Sequence, residues 1–466
     1  MVKIKKLVAL LLAGIMVISL TACNGGKTST STSVESTSSV SDSKEKETSG
    51  GDETVSQYDV DNMKFNDVTI KIACRYGSDT PDEEYFRKKM QEFSDMDNGI
   101  KVEVSAIPTE SDYLDTLRTN FASGDTPNIF TEYGGSRTLD YVESDALVDM
   151  QPYFEQYPEW KESFNPSVWD KLIYKDYDGI WGTPFKMYTV CLYYNKDIFA
   201  QQGLKPPVSW EELLDVCGKL KNAGIQPFQA GEKDVWRLGH LSNNVIIKSL
   251  GVDAVSKLSD RTLKYDSPEI IETFRKIQEL IDKGYMGKDI VSTDYNTEKS
   301  TYAAGECAMR WDGSWYISEI FGTDIYDKTG AVAFPYINEE YKNQAQGSAS
   351  DMWYISKVGK TDEEVAASVA LVKYMTSAEY TAGNNEVAAA LFPVEFTPTD
   401  ATPANPLLDE VKTIAASMTD MRDDIQTYDQ ASHMLDTVRT ALQGLAMGMS
   451  PEDCAKQIVD RIADEE

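Results

Sequence analysis

The stretch Tyr302-Ala-Ala-Gly-Glu-Cys-Ala-Met-Arg-Trp-Asp-Gly-Ser-Trp315 governs the fold. Its small residues predict a turn, Cys307 to Trp311 a short strand, Asp312-Gly313 a tight turn, and Ser314 onward a new element. Gly and Asp tolerate the backbone angles that a tight turn demands. Two indoles, Trp311 and Trp315, therefore bracket one corner. Indoles beside a strand end either stack on a ligand or seal a core, and these residues alone leave both open.

Around that corner lie 466 residues, enough for more than one lobe. The composition, 41% hydrophobic and 26% charged, is that of a soluble globular protein. A net charge of −31 argues against a phosphate-binding surface, so nucleic acid is not an expected partner. Six cysteines (Cys23, Cys74, Cys191, Cys217, Cys307 and Cys454) form no C-x-x-C pair, which leaves zinc and thioredoxin-like chemistry without a basis. With Cys23 set aside, five remain and cannot all pair internally. Buried free thiols are the default, and one disulfide stays open.

Residues 1–22 read as a targeting segment. Lys3, Lys5 and Lys6 precede an apolar run from Leu7 to Leu20, too short and too early for a good spanning helix. Residues 23–64 are largely Ser/Thr-rich with few large apolar residues, and are expected to be a disordered tether.

The folded body is expected from Phe65. Val68, Ile70 and Ile72 alternate as in a strand, and Thr80-Pro81-Asp82-Glu83 reads as a capping box opening a helix. Val102 and Val104 give a second strand, and a second helix reaches about Ala122. This β-α-β-α start is that of an open α/β sheet. Ile129-Phe130 then forms a strand whose carboxyl end carries Glu132 and Tyr133, the place where open α/β sheets bind ligands. The alternative there is a glycine-flanked connection with Tyr133 partly packed. The apolar run Phe185–Leu192 has no helix on its entry side and reads as a crossing between lobes. Ser209, Ser267 and Thr361 open further helices whose apolar residues recur at helical spacing, the mark of core stripes.

Three stretches in order resemble the family 1 extracellular solute-binding proteins, the carbohydrate receptors of ABC importers. They are Gly179-Ile-Trp-Gly-Thr-Pro184 with Tyr193-Tyr-Asn-Lys-Asp-Ile-Phe199, then Tyr302 to Met309 with Gly313-Ser-Trp315, then Ala370 to Glu379 with Leu391-Phe-Pro-Val394. Leu20-Thr-Ala-Cys23 is similar to a bacterial lipobox, which implies a lipid on Cys23 and a soluble domain anchored outside the membrane. The resemblance implies a two-lobed periplasmic-binding-protein-like α/β fold of type II, with lobes joined by crossing hinge strands. Lobe 1 would hold residues 65–187 and 330–375, and lobe 2 residues 188–329 and 376–466. It also implies a monomer that needs no cofactor or metal, works with a permease and its ATPase, and closes on a carbohydrate.

On the same resemblance Trp315, which ends the family's Gly-x-Trp pattern, stacks on sugar. Tyr188 stands where the family's crossing strand carries a ligand-facing acid. This departure argues against maltose-like specificity but keeps a side chain able to stack or hydrogen-bond. Trp311 and Asp312 join the candidates by location. Glu132, Tyr133, Trp236, Arg237 and Asp351 complete the set, because sugars need aromatic faces and paired donors and acceptors. Trp236 is equally a core residue, and Arg237 equally the partner of a neighbouring acid.

Enzyme readings find little support. In so acidic a chain no two carboxylates stand out as a glycosidase pair. His240 and His433 are the only histidines, with neither a G-x-S-x-G nor a P-loop pattern. A structural adhesin leaves the crossing strand unexplained. Polyols and glycerophosphodiesters remain alternative solutes.

Overall fold

The computed structural model describes residues 56–388, 390–429, 431 and 433–465. The targeting segment, Cys23 and most of the expected tether lie outside the described residues. Packing begins before Phe65. Val60 is buried, Asp59 accepts a hydrogen bond from the Tyr157 hydroxyl at 2.8 Å, and Asp61 pairs with Lys373.

Two mixed sheets organise the body. The first takes β1 (Val68–Cys74), β2 (Ile100–Ala106), β3 (Ile129–Glu132), β4 (Thr183–Pro184) and β9 (Met352–Ile355), in the order β2-β1-β3-β9-β4. β1 is parallel to both β2 and β3, whereas β9 runs antiparallel between β3 and β4. Alternation drives β1: Val68, Ile70 and Ile72 are buried while Thr69 and Lys71 are exposed. Helices α1 (Pro81–Ser94), α2 (Glu110–Ser123) and α3 (Ser136–Glu143) follow β1, β2 and β3 in turn.

The second sheet is built on the nine-residue strand β5 (Met187–Asn195), with β6 (Met309–Gly313), β7 (Thr329–Ala333), β8 (Gln344–Ala349) and β10 (Asp420–Arg422). β5 pairs antiparallel with β8 through Met187–Thr189, then with β6 and β7 further along. Thus residues 330–333 of β7 and Gln344–Ala349, which the sequence resemblance places in the first lobe, hydrogen-bond within the second sheet. One apolar core surrounds the first sheet and two surround the second.

The chain crosses between the sheets at Phe185-Lys186 and at Ser350-Asp351. These crossings lie side by side: Phe185 N–H donates to Asp351 O at 2.8 Å, and Ser350 N–H to Lys186 O at 2.8 Å. A third contact joins them where Met187 N–H donates to Leu391 O at 3.0 Å. The fold is therefore two α/β lobes on a narrow hinge, type II in arrangement.

Two local expectations are corrected. Thr80 starts α1 but its side chain makes no capping bond, and Glu83 accepts instead from Ser78 N–H. Thr361 does form the full capping box, its hydroxyl accepting from Glu364 N–H and the Glu364 carboxylate accepting from Thr361 N–H. Asp312-Gly313 is not a turn but the end of β6, and Gly313 does not have positive φ. Glycine is needed there for space: a Cβ on Gly313 would lie 2.0 Å from the Trp315 ring, which folds back over the strand end. The five described cysteines are free and buried.

Candidate functional site

A cavity of about 430 Å³ lies where both lobes meet the hinge. Its first wall comes from the carboxyl ends of parallel strands, where an open sheet leaves its loops and helix starts facing a ligand. Arg75 follows β1, Glu110 opens α2 beyond β2, and Tyr133 follows β3. The charges on this wall are paired. Arg75 donates to Asp351, Lys186 to Asp82 at 2.8 Å, and Arg137 to Glu110 at 3.2 Å. Burial pushes the Asp82 carboxyl up, but the Lys186 ammonium outweighs it and holds Asp82 below the usual range. Guanidinium carbons of Arg75 and Arg137 lie 4.0 and 4.6 Å from the Tyr133 ring centroid, so that ring already serves two cations.

The opposite wall is aromatic. Trp236 meets His240 and Tyr295, each at 4.9 Å between ring centroids. Trp315 meets Tyr188 at 5.3 Å and His240 at 5.8 Å. Trp315 Nε1–H donates to the Tyr295 hydroxyl at 3.0 Å, and that hydroxyl donates to Asp312 at 2.8 Å. Burial holds His240 below the ordinary histidine range despite the opposing charge of Asp424, so the imidazole is neutral near pH 7. Burial likewise raises Glu319 at the edge of this wall.

Of the residues proposed from sequence, Trp315, Tyr188, Trp236, Tyr133 and Asp351 line the cavity. Trp311, Asp312, Arg237 and Glu132 do not. Trp311 is 1% exposed, packs edge-on against Phe228 at 5.5 Å and donates to the Arg237 carbonyl at 3.4 Å, so it seals a core. Arg237 is spent on Glu298, donating from Nε at 2.9 Å and from Nη2 at 2.6 Å. Asp312 pairs with Arg310 and touches the wall only through Tyr295. Glu132 is buried and accepts from Arg137 at 2.5 Å, fixing that side chain from behind.

Sequence reasoning missed Arg75, Lys186, His240, Tyr295, Asp424 and Arg439. The strand-end rule that selects Tyr133 also selects Arg75 when applied to β1. Asp424 and Arg439 come from the carboxyl-terminal part of the chain, where no local pattern marks them.

Residues 77–382 match the family described as bacterial extracellular solute-binding protein, and the chain belongs to it. It is a solute-binding protein of the kind that serves ABC importers, rather than an enzyme. A multiple sugar-binding protein of Streptococcus mutans serotype c is 24% identical over 301 residues, 63% of this chain and 68% of that protein. An sn-glycerol-3-phosphate-binding periplasmic protein of Pectobacterium atrosepticum is 27% identical over 254 residues. That match covers 50% of this chain and 54% of the relative, so the chain spans about half that relative's length. A solved chitin oligosaccharide binding protein shares the fold at a TM-score of 0.75 and 22% identity, over 85% of this chain and 98% of its own.

Proposed function

We propose that this protein captures a sugar or short oligosaccharide in the interlobe cavity and delivers it to the permease and ATPase of an ABC importer. A lipid on Cys23 holds it at the outer face of the bacterial cytoplasmic membrane. Lobe 1 comprises about residues 60–186 and 351–394, and lobe 2 about residues 188–349 and 405–465, a division that follows the apolar cores.

The observation that carries this reading is an aromatic wall facing a wall of paired charges. Sugar faces present C–H patches that stack on Trp315, Trp236 and Tyr188, while their hydroxyls need donors and acceptors together, as Arg75–Asp351 and Lys186–Asp82 provide. About 430 Å³ falls in the small-molecule range of roughly 300–1,000 Å³. A phosphorylated polyol fits less well, because the lining carries seven carboxylates against four cationic side chains. Ligand shifts the lobes toward the closed form only by its preference for that form, so groups contacted from both walls set the response.

The test is a thermal-shift screen against mono- and oligosaccharides, polyols, glycerol 3-phosphate, amino acids and peptides, followed by calorimetry. A ligand above its Kd raises the melting temperature by mass action. A shift with neutral sugars and none with glycerol 3-phosphate is expected, and the reverse would overturn the substrate class. Fatty-acid labelling that survives Cys23→Ala would remove the anchor.

A further inference from the structure

The turn after β10 carries two adjacent carboxylates, Asp423 and Asp424, that line the cavity and are also tied into the protein around it. Asp423 faces the first lobe. Its Oδ2 accepts from the Lys171 ammonium and its Oδ1 from the Tyr188 hydroxyl. Lys171 is fully buried, and its neighbours Trp169 and Leu172 pack in the first core. It also donates to the Ala349 carbonyl at 2.7 Å, where β8 leaves the second sheet. Asp424 faces the second lobe, accepting from Gln346 on β8 and from Arg439, each at 2.7 Å, and from Asn243.

The rest of the turn is gripped in the same two-sided way. Ser136 at the start of α3 donates to the Gln426 carbonyl at 3.0 Å, and the Tyr428 hydroxyl donates to Asp170 at 3.0 Å. Gly135 has a φ of +61°, and a Cβ there would lie 2.0 Å from the Thr427 carbonyl, so backbone meets backbone across the lobes. β10 itself pairs with β8, which ties the turn to the second sheet.

We propose that the Asp423-Asp424 turn is a clasp between the lobes and that Lys171, which does not line the cavity, is a positioning residue for ligand capture. Lys171 holds Asp423, Asp423 holds the Tyr188 hydroxyl, and Tyr188 thereby completes the aromatic wall beside Trp315. Parting the lobes separates Lys171 from Asp423 and frees Tyr188, so the complete wall belongs to the closed arrangement. This deepens the capture reading and rests on it for its purpose, but the clasp itself acts with no ligand present.

The experiment is therefore run without ligand, by electron-spin distance measurement on the full chain carrying Cys23→Ala, Lys88→Cys and Lys456→Cys. Lys88 and Lys456 are exposed, on helices of the first and second lobe, and the five native thiols of the body are buried. Adding Lys171→Met is expected to lengthen and broaden the distance distribution, and Lys171→Arg to restore it. A folded Lys171→Met chain, judged by circular dichroism, with an unchanged distribution overturns the clasp. Removing one partner of a buried pair strands a charge, so Lys171→Met with Asp423→Asn is measured in parallel. This double variant strands no charge and is expected to show the same opening; a wild-type distribution overturns the proposal. Failure of the sugar reading would leave both distance results intact, so the two ideas fail separately.

Discussion

Replacing Trp315 by Ala takes the centre out of the aromatic wall while leaving most of the core in place. The indole is only partly buried, and it meets Tyr188 at 5.3 Å and His240 at 5.8 Å. Truncating an aromatic anchor of this kind costs about 2 kcal/mol or more of binding. At 1.4 kcal/mol per tenfold, that is roughly a thirtyfold rise in Kd. Trp311→Ala should do the opposite. Its indole is 1% exposed and away from the cavity, so the cavity left behind costs about 3–5 kcal/mol of stability. Calorimetric titration with a sugar found in the thermal screen, alongside urea unfolding, separates the pair. The expected pattern is weak binding with near-native stability for Trp315→Ala, and low stability for Trp311→Ala with the affinity of its folded fraction retained. Equal affinities in Trp315→Ala and the wild type would take Trp315 out of the site. A wild-type unfolding midpoint for Trp311→Ala would take Trp311 out of the core.

Three further outcomes follow from local geometry and protonation. Gly313→Ala places a methyl 2.0 Å from the Trp315 ring and must displace it, so its sugar affinity should fall about as far as that of Trp315→Ala; unchanged affinity means the ring does not rest there. Burial pushes the Glu232 carboxyl up to about 8, so between its unfolded value near 4.5 and that value the native state holds a proton the unfolded chain has released. Stability from this group is then complete below the unfolded value and lost as pH rises toward 8, by at most about 1.4 kcal/mol per pH unit. Glu232→Gln should remove that slope in urea melts from pH 6 to 8, and identical slopes in both proteins refute the assignment. Burial also drives the thiols of Cys74, Cys191, Cys307 and Cys454 up to about 12, so a thiol reagent at pH 8 should label none of them until urea unfolds the chain.

How far the sequence reveals this protein depends on whether a feature is local. β1 and α1 are written in alternation and in a proline-led acidic turn, and both form where those signals lie. The hinge is legible at Phe185–Leu192 because an apolar strand without an entry helix has nowhere to go but across. β8 is harder, since Gln344–Ala349 is polar and small yet buried, its side chains paid for by partners such as Asp424 rather than by apolar contact. The site divides on the same principle. Trp315 follows a motif and Tyr188 stands at a family position while departing from its usual acid, but Trp311 and Asp312 adjoin on one strand and so must point to opposite faces. Every residue of β6 is buried: Trp311 packs against Phe228, and Asp312 pairs with its strand-mate Arg310 and with Arg237, so neither residue reaches the cavity. In a chain this acidic, type alone could not separate Asp312 from Asp424. Partners do: Asp312 is closed in by two arginines, whereas Asp424 stands at the cavity with an imidazole and the guanidinium of Arg439. Those partners meet through β10, a three-residue strand more than two hundred residues along the chain from β5. The clasp is therefore a property of the assembled lobes, and its test has to be made on lobe positions rather than on any single segment.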